Sequence, residues 1–178
     1  SMETGLTGLN DLLFDDKGQP VRDTAVLRAA LAKQRPDRVL LAAQGLRSGL
    51  SVEDVQTATK FDPWFLRQLE VIVTAEKKVQ AEGLPTTQGG MLRLKQLGFS
   101  DARLAELTGR KAADVRAHRR GLKVRPVFKR IDTCAAEFAS PTAYMYSTYE
   151  TGLSGAPACE AMPSDAKKIM ILGGGPNR

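Results

Sequence analysis

The tripeptide Gly49-Leu50-Ser51 returns as Gly98-Phe99-Ser100, and the match runs on downstream at the same offset of 49 residues. Val55 aligns with Leu104, Thr59 with Thr108, and Leu66-Arg67 with Val115-Arg116. Glycine ends a helix by taking a left-handed backbone that a Cβ disfavours, and serine starts the next by accepting from its free N–H groups. Each copy therefore reads as helix, glycine stop, serine-capped helix, tight turn, helix. The chain is expected to be mainly α, with two stacked helical units forming a bundle and a short extended or β segment at the C-terminal end.

The other boundaries follow from local chemistry. Gly5, Gly8, Asp15-Asp16 and Gly18-Gln19-Pro20 make the first twenty residues a loop. Asp23 or Thr24 caps a helix through Val26, Leu27, Ala30 and Leu31, which stops before Pro36. Asp37 is placed to cap the next, whose apolar residues Leu40, Leu41, Ala43 and Leu46 have helical spacing. Ser51 starts a third, with Glu53 and Asp54 where the helix dipole favours acids. Asp62-Pro63 starts a fourth that puts Phe65, Leu66, Leu69, Ile72, Val73 and Val79 on one side. Trp64, Phe65, Leu69 and Ile72 are its core or interface candidates. Gly83 and Pro85 close it, and Thr86, Thr87 and Gly89-Gly90 read as a loop before a helix over 91–97. Ser100 caps 101–108, Gly109 turns the chain, and a helix over about 112–120 follows. After Pro126, residues 127–131 and 144–149 favour β structure. Residues 151–165 read as a flexible linker, and 168–172 as a short buried strand leading into Gly173-Gly174-Gly175. The divisions so drawn are 1–20, 21–125, 126–165 and 166–178.

Charge is unevenly spread. Residues 1–90 carry 11 Lys/Arg and 12 Asp/Glu, residues 91–130 carry 12 and 3, and residues 131–178 carry 3 and 5. The net charge of +6 thus originates in one stretch. There, 98–109 followed by Val115, Arg116, His118, Arg119 and Arg120 has the pattern of a helix-turn-helix able to enter a major groove. The aligned positions of the first copy hold Trp64, Phe65 and Leu66, which suit packing and not base edges. Nucleic-acid binding through 91–130 is therefore the alternative reading, and a solvated helical face the preferred one.

Catalytic patterns are sparse. His118, the single histidine, and Cys134 are the only nucleophile–base pair on offer, and Cys134 lies in an apolar setting that suits a buried small side chain. One histidine and two distant cysteines give no zinc spacing. Two cysteines are too few for a disulfide framework, so both are read as reduced thiols in a cytoplasmic protein. No apolar run is long enough to cross a bilayer. Lys129, Arg130, Asp132 and Glu137 are read as an ion-paired structural corner. Gly173-Gly174-Gly175 lacks the following helix that a phosphate loop needs, as if the sequence were cut there, and Ser1-Met2 reads as an expression remnant.

Residues 127–138 and 142–149, Val-Phe-Lys-Arg-Ile-Asp-Thr-Cys-Ala-Ala-Glu-Phe and Thr-Ala-Tyr-Met-Tyr-Ser-Thr-Tyr, resemble the join before the second half of carbamoyl-phosphate synthetase large chains. Residues 168–178 are similar to the first strand and turn of that half. Gly49-Leu50-Ser51 and Asp62-Pro63-Trp64-Phe65-Leu66 resemble the family's helical oligomerisation domain, and Gly5-Leu6-Thr7-Gly8 the exit from its first half. The resemblance spans essentially the whole chain. It departs after Glu150, where family members often run acidic and residues 151–157 are neutral.

The resemblance implies a parent ligase of arginine and pyrimidine biosynthesis. It makes carbamoyl phosphate from bicarbonate, glutamine-derived ammonia and two ATP, with Mg or Mn and K as cofactors. It implies that catalytic, cofactor, metal and effector sites lie outside this segment. The implied partners are the other domains of the same large chain, further copies in an oligomer, and the glutamine amidotransferase small chain. Neither nucleic acid nor membrane is expected.

Overall fold

The computed structural model describes residues 5–131, 144–150 and 158–169. Seven helices and two strands follow in order: α1 Thr24–Leu31, α2 Arg38–Arg47, α3 Val52–Thr59, α4 Pro63–Glu82, α5 Gln88–Gln96, α6 Asp101–Thr108, α7 Ala112–Gly121, β1 Val127–Arg130 and β2 Met145–Thr148. The chain divides into two compact units, residues 5–123 and a C-terminal unit beginning at Val124.

The repeat is present in the backbone. α2–α3–α4 and α5–α6–α7 use the same turns: Leu50 N–H donates to Gly45 O at 3.0 Å, and Phe99 N–H to Leu94 O at 3.2 Å. Gly49 and Gly98 both hold positive φ, 101° and 90°. Ser51 caps α3 and Ser100 caps α6 from extended backbone. Both short helices end with a threonine hydroxyl donating to the carbonyl four residues back, Thr59 to Val55 and Thr108 to Leu104, each at 2.7 Å. A left-handed residue follows in each, Lys60 at φ 62° and Gly109 at φ 63°. The apolar side chains that the repeat aligns are all interior: Leu50 with Phe99, Val55 with Leu104, Leu66 with Val115.

The core of this unit gathers Leu27 and Leu31 of α1, Leu41, Ala42, Ala43 and Leu46 of α2, Val55 of α3, and Leu66 and Val73 of α4. Leu9, Leu12, Leu13 and Val21 pack against it. Compact packing thus runs from Gly5 to Lys123 and takes in the leading residues assigned by sequence to a linker. The reason is Gln44, fully buried in α2. Its Oε1 accepts from the N–H groups of Leu12 and Leu13, both at 2.9 Å, and its Nε2 donates to Leu13 O and Val21 O. A loop can lie against a core only if its peptide groups find such partners.

Two local expectations are corrected. Asp37 precedes α2 without a side-chain capping bond, because its carboxylate is taken by Arg35 at 2.5 and 2.8 Å. α5 begins at Gln88, so Gly89 and Gly90 lie in its first turn and not in a loop, with Thr87 accepting from Gly90 N–H. There a Cβ on Gly90 would sit 2.8 Å from Pro85 Cβ, so the glycine permits a close approach. Of the core or interface candidates, Trp64 and Phe65 are 56% and 63% exposed and lie outside the core, while Leu69 and Ile72 are half-buried.

In the C-terminal unit, β1 and β2 pair antiparallel, Val127 opposite Thr148 and Lys129 opposite Tyr146. The other edge of β1 is used too. Glu160 N–H donates to Phe128 O at 2.8 Å, and Arg130 N–H donates to Glu160 Oε2 at 2.7 Å. Residues around Glu160 are therefore anchored, which corrects the reading of that part of 151–165 as free linker. Residues 151–157 lie outside the described residues. Lys168 and Ile169 are not in a strand, and Ile169 is 86% exposed. Residues 170–178, the glycine run included, lie outside the described residues.

Candidate functional site

The most unusual group in the helical unit is a carboxylate in its interior. Glu76 is 1% exposed, on the stripe of α4 that also buries Val73 and Val79. A lone buried carboxylate costs several kcal/mol, so it must be matched by cations and hydrogen bonds. Two arginines do this from opposite sides. Arg47, at the end of α2, donates from Nε to Glu76 Oε2 at 2.8 Å. Arg103, in the first turn of α6, donates to Oε1 from Nε at 3.0 Å and from its terminal nitrogen at 2.7 Å. Glu76 thus joins the first helical copy to the second. Burial pushes the Arg103 guanidinium down, but Glu76, with Glu106 behind it, outweighs this and holds the cation more firmly than usual.

The ladder continues into the leading segment. Arg47 also donates to Asp11 Oδ1 and to Leu9 O, both at 2.5 Å, and Arg22 meets Asp11 Oδ2 at 2.7 Å. Arg103 reaches Glu106 at 3.1 Å, and the Thr7 hydroxyl donates to the same carboxylate at 2.8 Å. Ser100, while capping α6, donates its hydroxyl to Thr7 O at 2.9 Å. Residues 7–13 are therefore tied to α2, α4 and α6 through Asp11, Arg47, Glu76, Arg103 and Gln44. No step here has the geometry of a reaction centre: every charge on the ladder is satisfied by a partner within the fold.

A second cluster braces the second copy. Arg119, 8% exposed, donates to Asp101 at 3.0 and 2.8 Å, and Lys95 meets the same carboxylate at 3.1 Å. Burial pushes the Asp101 carboxyl up, but Arg119 and Lys95 outweigh it and hold it below the ordinary aspartate value. His118 is half-buried and its Nε2 lies 2.8 Å from Pro85 O. A carbonyl only accepts, so that nitrogen carries the proton. Of the residues read as a recognition helix, Val115 and Arg119 face inward and His118 is occupied, leaving Arg116 and Arg120 outward. That is a packing helix with a solvated edge.

At the corner, Lys129 meets Glu150 at 2.9 Å and Glu160 at 3.6 Å, and Arg130 contributes its main-chain N–H to Glu160. The Glu150 carboxylate and, more weakly, Glu160 hold the Lys129 ammonium above its usual range. Asp132, Glu137 and Cys134 lie outside the described residues. Cys159 is an exposed free thiol. Among the described residues no three His, Cys, Asp or Glu side chains converge as a metal site, and no helix is long and apolar enough to cross a membrane.

Sequence reasoning missed the ladder. Its signal was present in α4: Glu76 sits three residues after Val73 and three before Val79, an acid at an apolar position of a helical stripe. Gln44 carried the same signal, between Ala43 and Leu46.

Comparison with known proteins places the chain. Residues 1–123 match the family described as carbamoyl-phosphate synthetase large chain, oligomerisation domain. The carbamoyl phosphate synthase large chain of Brucella melitensis is 54% identical over 177 residues, that of Rhizobium meliloti 54% over 180, and that of Xylella fastidiosa (strain 9a5c) 49% over 178. Each alignment covers 99% of this chain but only 15 to 16% of the relative, so the chain spans about one-sixth of their length. A salt-bridged two-copy helical body, matched along most of its length, belongs to the carbamoyl-phosphate synthetase large-chain family, and residues 1–123 correspond to its oligomerisation domain.

Proposed function

We propose that the chain works inside a longer large chain as a rigid, non-catalytic coupler between two ATP-using halves. The parent reaction, in this reading, is the ATP-dependent synthesis of carbamoyl phosphate from bicarbonate and ammonia that a glutamine amidotransferase small chain supplies. Mg or Mn and K would serve it at sites elsewhere in the parent. In this reading residues 1–20 lead from the first half into the oligomerisation domain, whose helices occupy 21–125, while 126–165 make the corner and 166–178 begin the second half.

The observation that carries this is the Glu76 ladder. Intermediates of such a reaction are short-lived in water, and their transfer between two sites requires fixed register of the parts that flank the route. Buried ion pairs add little net stability against an apolar alternative, but they penalise every arrangement in which a charge loses its partner. Glu76, Arg47 and Arg103 do this for residues 7–13 and both helical copies together. Replacing Glu76 with Gln in the full-length large chain, with its small chain present, is expected to raise the ATP consumed per carbamoyl phosphate formed. An unchanged ratio in a variant that melts at a lower temperature would sink the reading. Asp132 and Glu137 are proposed to brace the corner with Lys129 and Arg130, and their double replacement by Ala is expected to raise the same ratio.

A further inference from the structure

The two edges of β1 are served in different ways. On one, Ile131, just past the strand, donates its N–H to Tyr144 O at 2.9 Å, and Val127 and Lys129 stand opposite Thr148 and Tyr146. Main-chain groups alternate sides along a strand, so Phe128 and Arg130 aim theirs at the other edge. A ribbon of four residues per strand is marginal alone, and such an edge is ordinarily closed by a third strand. Here one residue serves it. Glu160 N–H donates to Phe128 O at 2.8 Å, and Glu160 Oε2 accepts from Arg130 N–H at 2.7 Å. A third contact is ionic: Lys129 Nζ, 2.9 Å from Glu150, lies 3.6 Å from Glu160 Oε1. The Arg130 N–H, helped by the Lys129 ammonium, outweighs the desolvation that pushes the Glu160 carboxyl up and holds it below its usual range. The acceptor is thus a carboxylate.

A single main-chain bond would let the chain pivot about the strand edge. Three contacts from one residue fix its direction as well as its position. The chain beyond uses that direction at once. Met162 holds φ 37°, in the left-handed region, immediately before Pro163. A residue with a side chain stays in such a conformation only where its surroundings over-determine it. Residues 158–163 form neither helix nor strand, so Glu160, two residues before the bend, supplies the anchor.

We propose that Glu160 is a positioning residue for the parent reaction: by clamping the returning chain to β1, it sets the direction in which the chain enters the second ATP-using half. It touches no substrate and acts through the placement of that half. The inference rests on the coupler reading and extends it beyond the helical body. The Glu76 ladder orders the helices, and the Glu160 clamp orders the chain that leaves the corner.

The test uses the full-length large chain with its small chain. Glu160→Ala is expected to raise the ATP consumed per carbamoyl phosphate about twofold, since small misplacements of reacting groups carry large rate penalties. Each half assayed alone should keep its rate: bicarbonate-dependent ATP cleavage without ammonia for the first, and ATP formation from ADP and carbamoyl phosphate for the second. Glu160→Gln retains an oxygen for Arg130 N–H and is expected to keep the native ratio. Glu160→Asp, one methylene short, is expected to fall between, and it carries the test if the alanine variant does not fold. Hydrogen exchange over residues 127–131 should accelerate in the alanine and aspartate variants and not in the glutamine one. A native ratio in the alanine and aspartate variants would overturn the proposal. If Glu76→Gln still raises the ratio, the coupler reading survives that result; if it does not, both fall. Loss of the second half's own reaction in step with the overall rate would make Glu160 a folding residue of that half and overturn the proposal equally. A glutamine variant as defective as the alanine one would place the role on the Lys129 ion pair and overturn the hydrogen-bonded clamp.

Discussion

The two helical copies share a backbone and divide the polar chemistry between them. In the first, Ser51 accepts from Asp54 N–H while the Asp54 carboxylate accepts from Ser51 N–H, a reciprocal cap that keeps its acid at the surface beside Arg28. In the second, the residue aligned with Asp54 is Arg103. Ser100 still caps, but an arginine cannot return the bond, and its side chain turns inward to Glu76 instead. The same position is a local cap in one copy and a long-range tie in the other. On a duplicated scaffold, a difference at this one position, met by Glu76, turns a self-contained cap into a link between the copies.

The largest effect should come from breaking that link. Glu76→Ala leaves Arg47 and Arg103 buried with only Asp11 and Glu106 as counter-charges and is expected to cost about 3 kcal/mol in denaturant unfolding of the chain. Arg47→Met, Glu76→Leu and Arg103→Met together should recover most of the loss. Failure of the triple variant to recover would mean that the ladder contributes more than mutual charge compensation. Gln44→Ala strips partners from Leu12, Leu13 and Val21 and should cost about 2–3 kcal/mol. Hydrogen exchange at the Leu12 and Leu13 amides should accelerate in parallel.

The left-handed turns give a smaller and sharper contrast. Lys60→Gly should stabilise by about 0.5–1 kcal/mol, whereas Gly109→Ala should destabilise by about 1 kcal/mol, because both positions hold φ near 60°. Equal signs for the two would show that the copies are not equivalent there.

The smallest effect concerns acid. The folded Asp101 carboxyl is held below its ordinary value, so the stability it contributes is fully present above the usual aspartate range. That contribution is lost as pH falls through the folded value. Unfolding free energy below pH ~4 should therefore fall more steeply for the native chain than for Asp101→Asn.

Much of the frame was legible because it depends on near neighbours. Gly49 and Gly98, Ser51 and Ser100, and the Asp62-Pro63 start each act within one turn, and all stand where their chemistry puts them. Asp37 shows the limit of that logic, since Arg35 two residues back outcompeted the helix for its carboxylate. The partners of Glu76 are 29 and 27 residues away along the chain, and those of Gln44 up to 32, so only the fold brings them together. Trp64 and Phe65 were legible only as core or interface: size and hydrophobicity say that a side chain prefers burial, not which molecule will bury it. At the corner, the acids that meet Lys129 are at 150 and 160, distant along the chain from the Asp132 and Glu137 that the sequence offered beside it.

Repeat proteins built from identical modules can usually gain or lose one, since each module's polar groups close within itself or with any like neighbour. Here Arg103 of the second copy and Arg47 of the first share one buried glutamate on the long helix between them. Deleting a copy strands an ion in the dark, and adding one supplies an ion with nothing to meet. The buried ladder thereby holds the helical body to two copies.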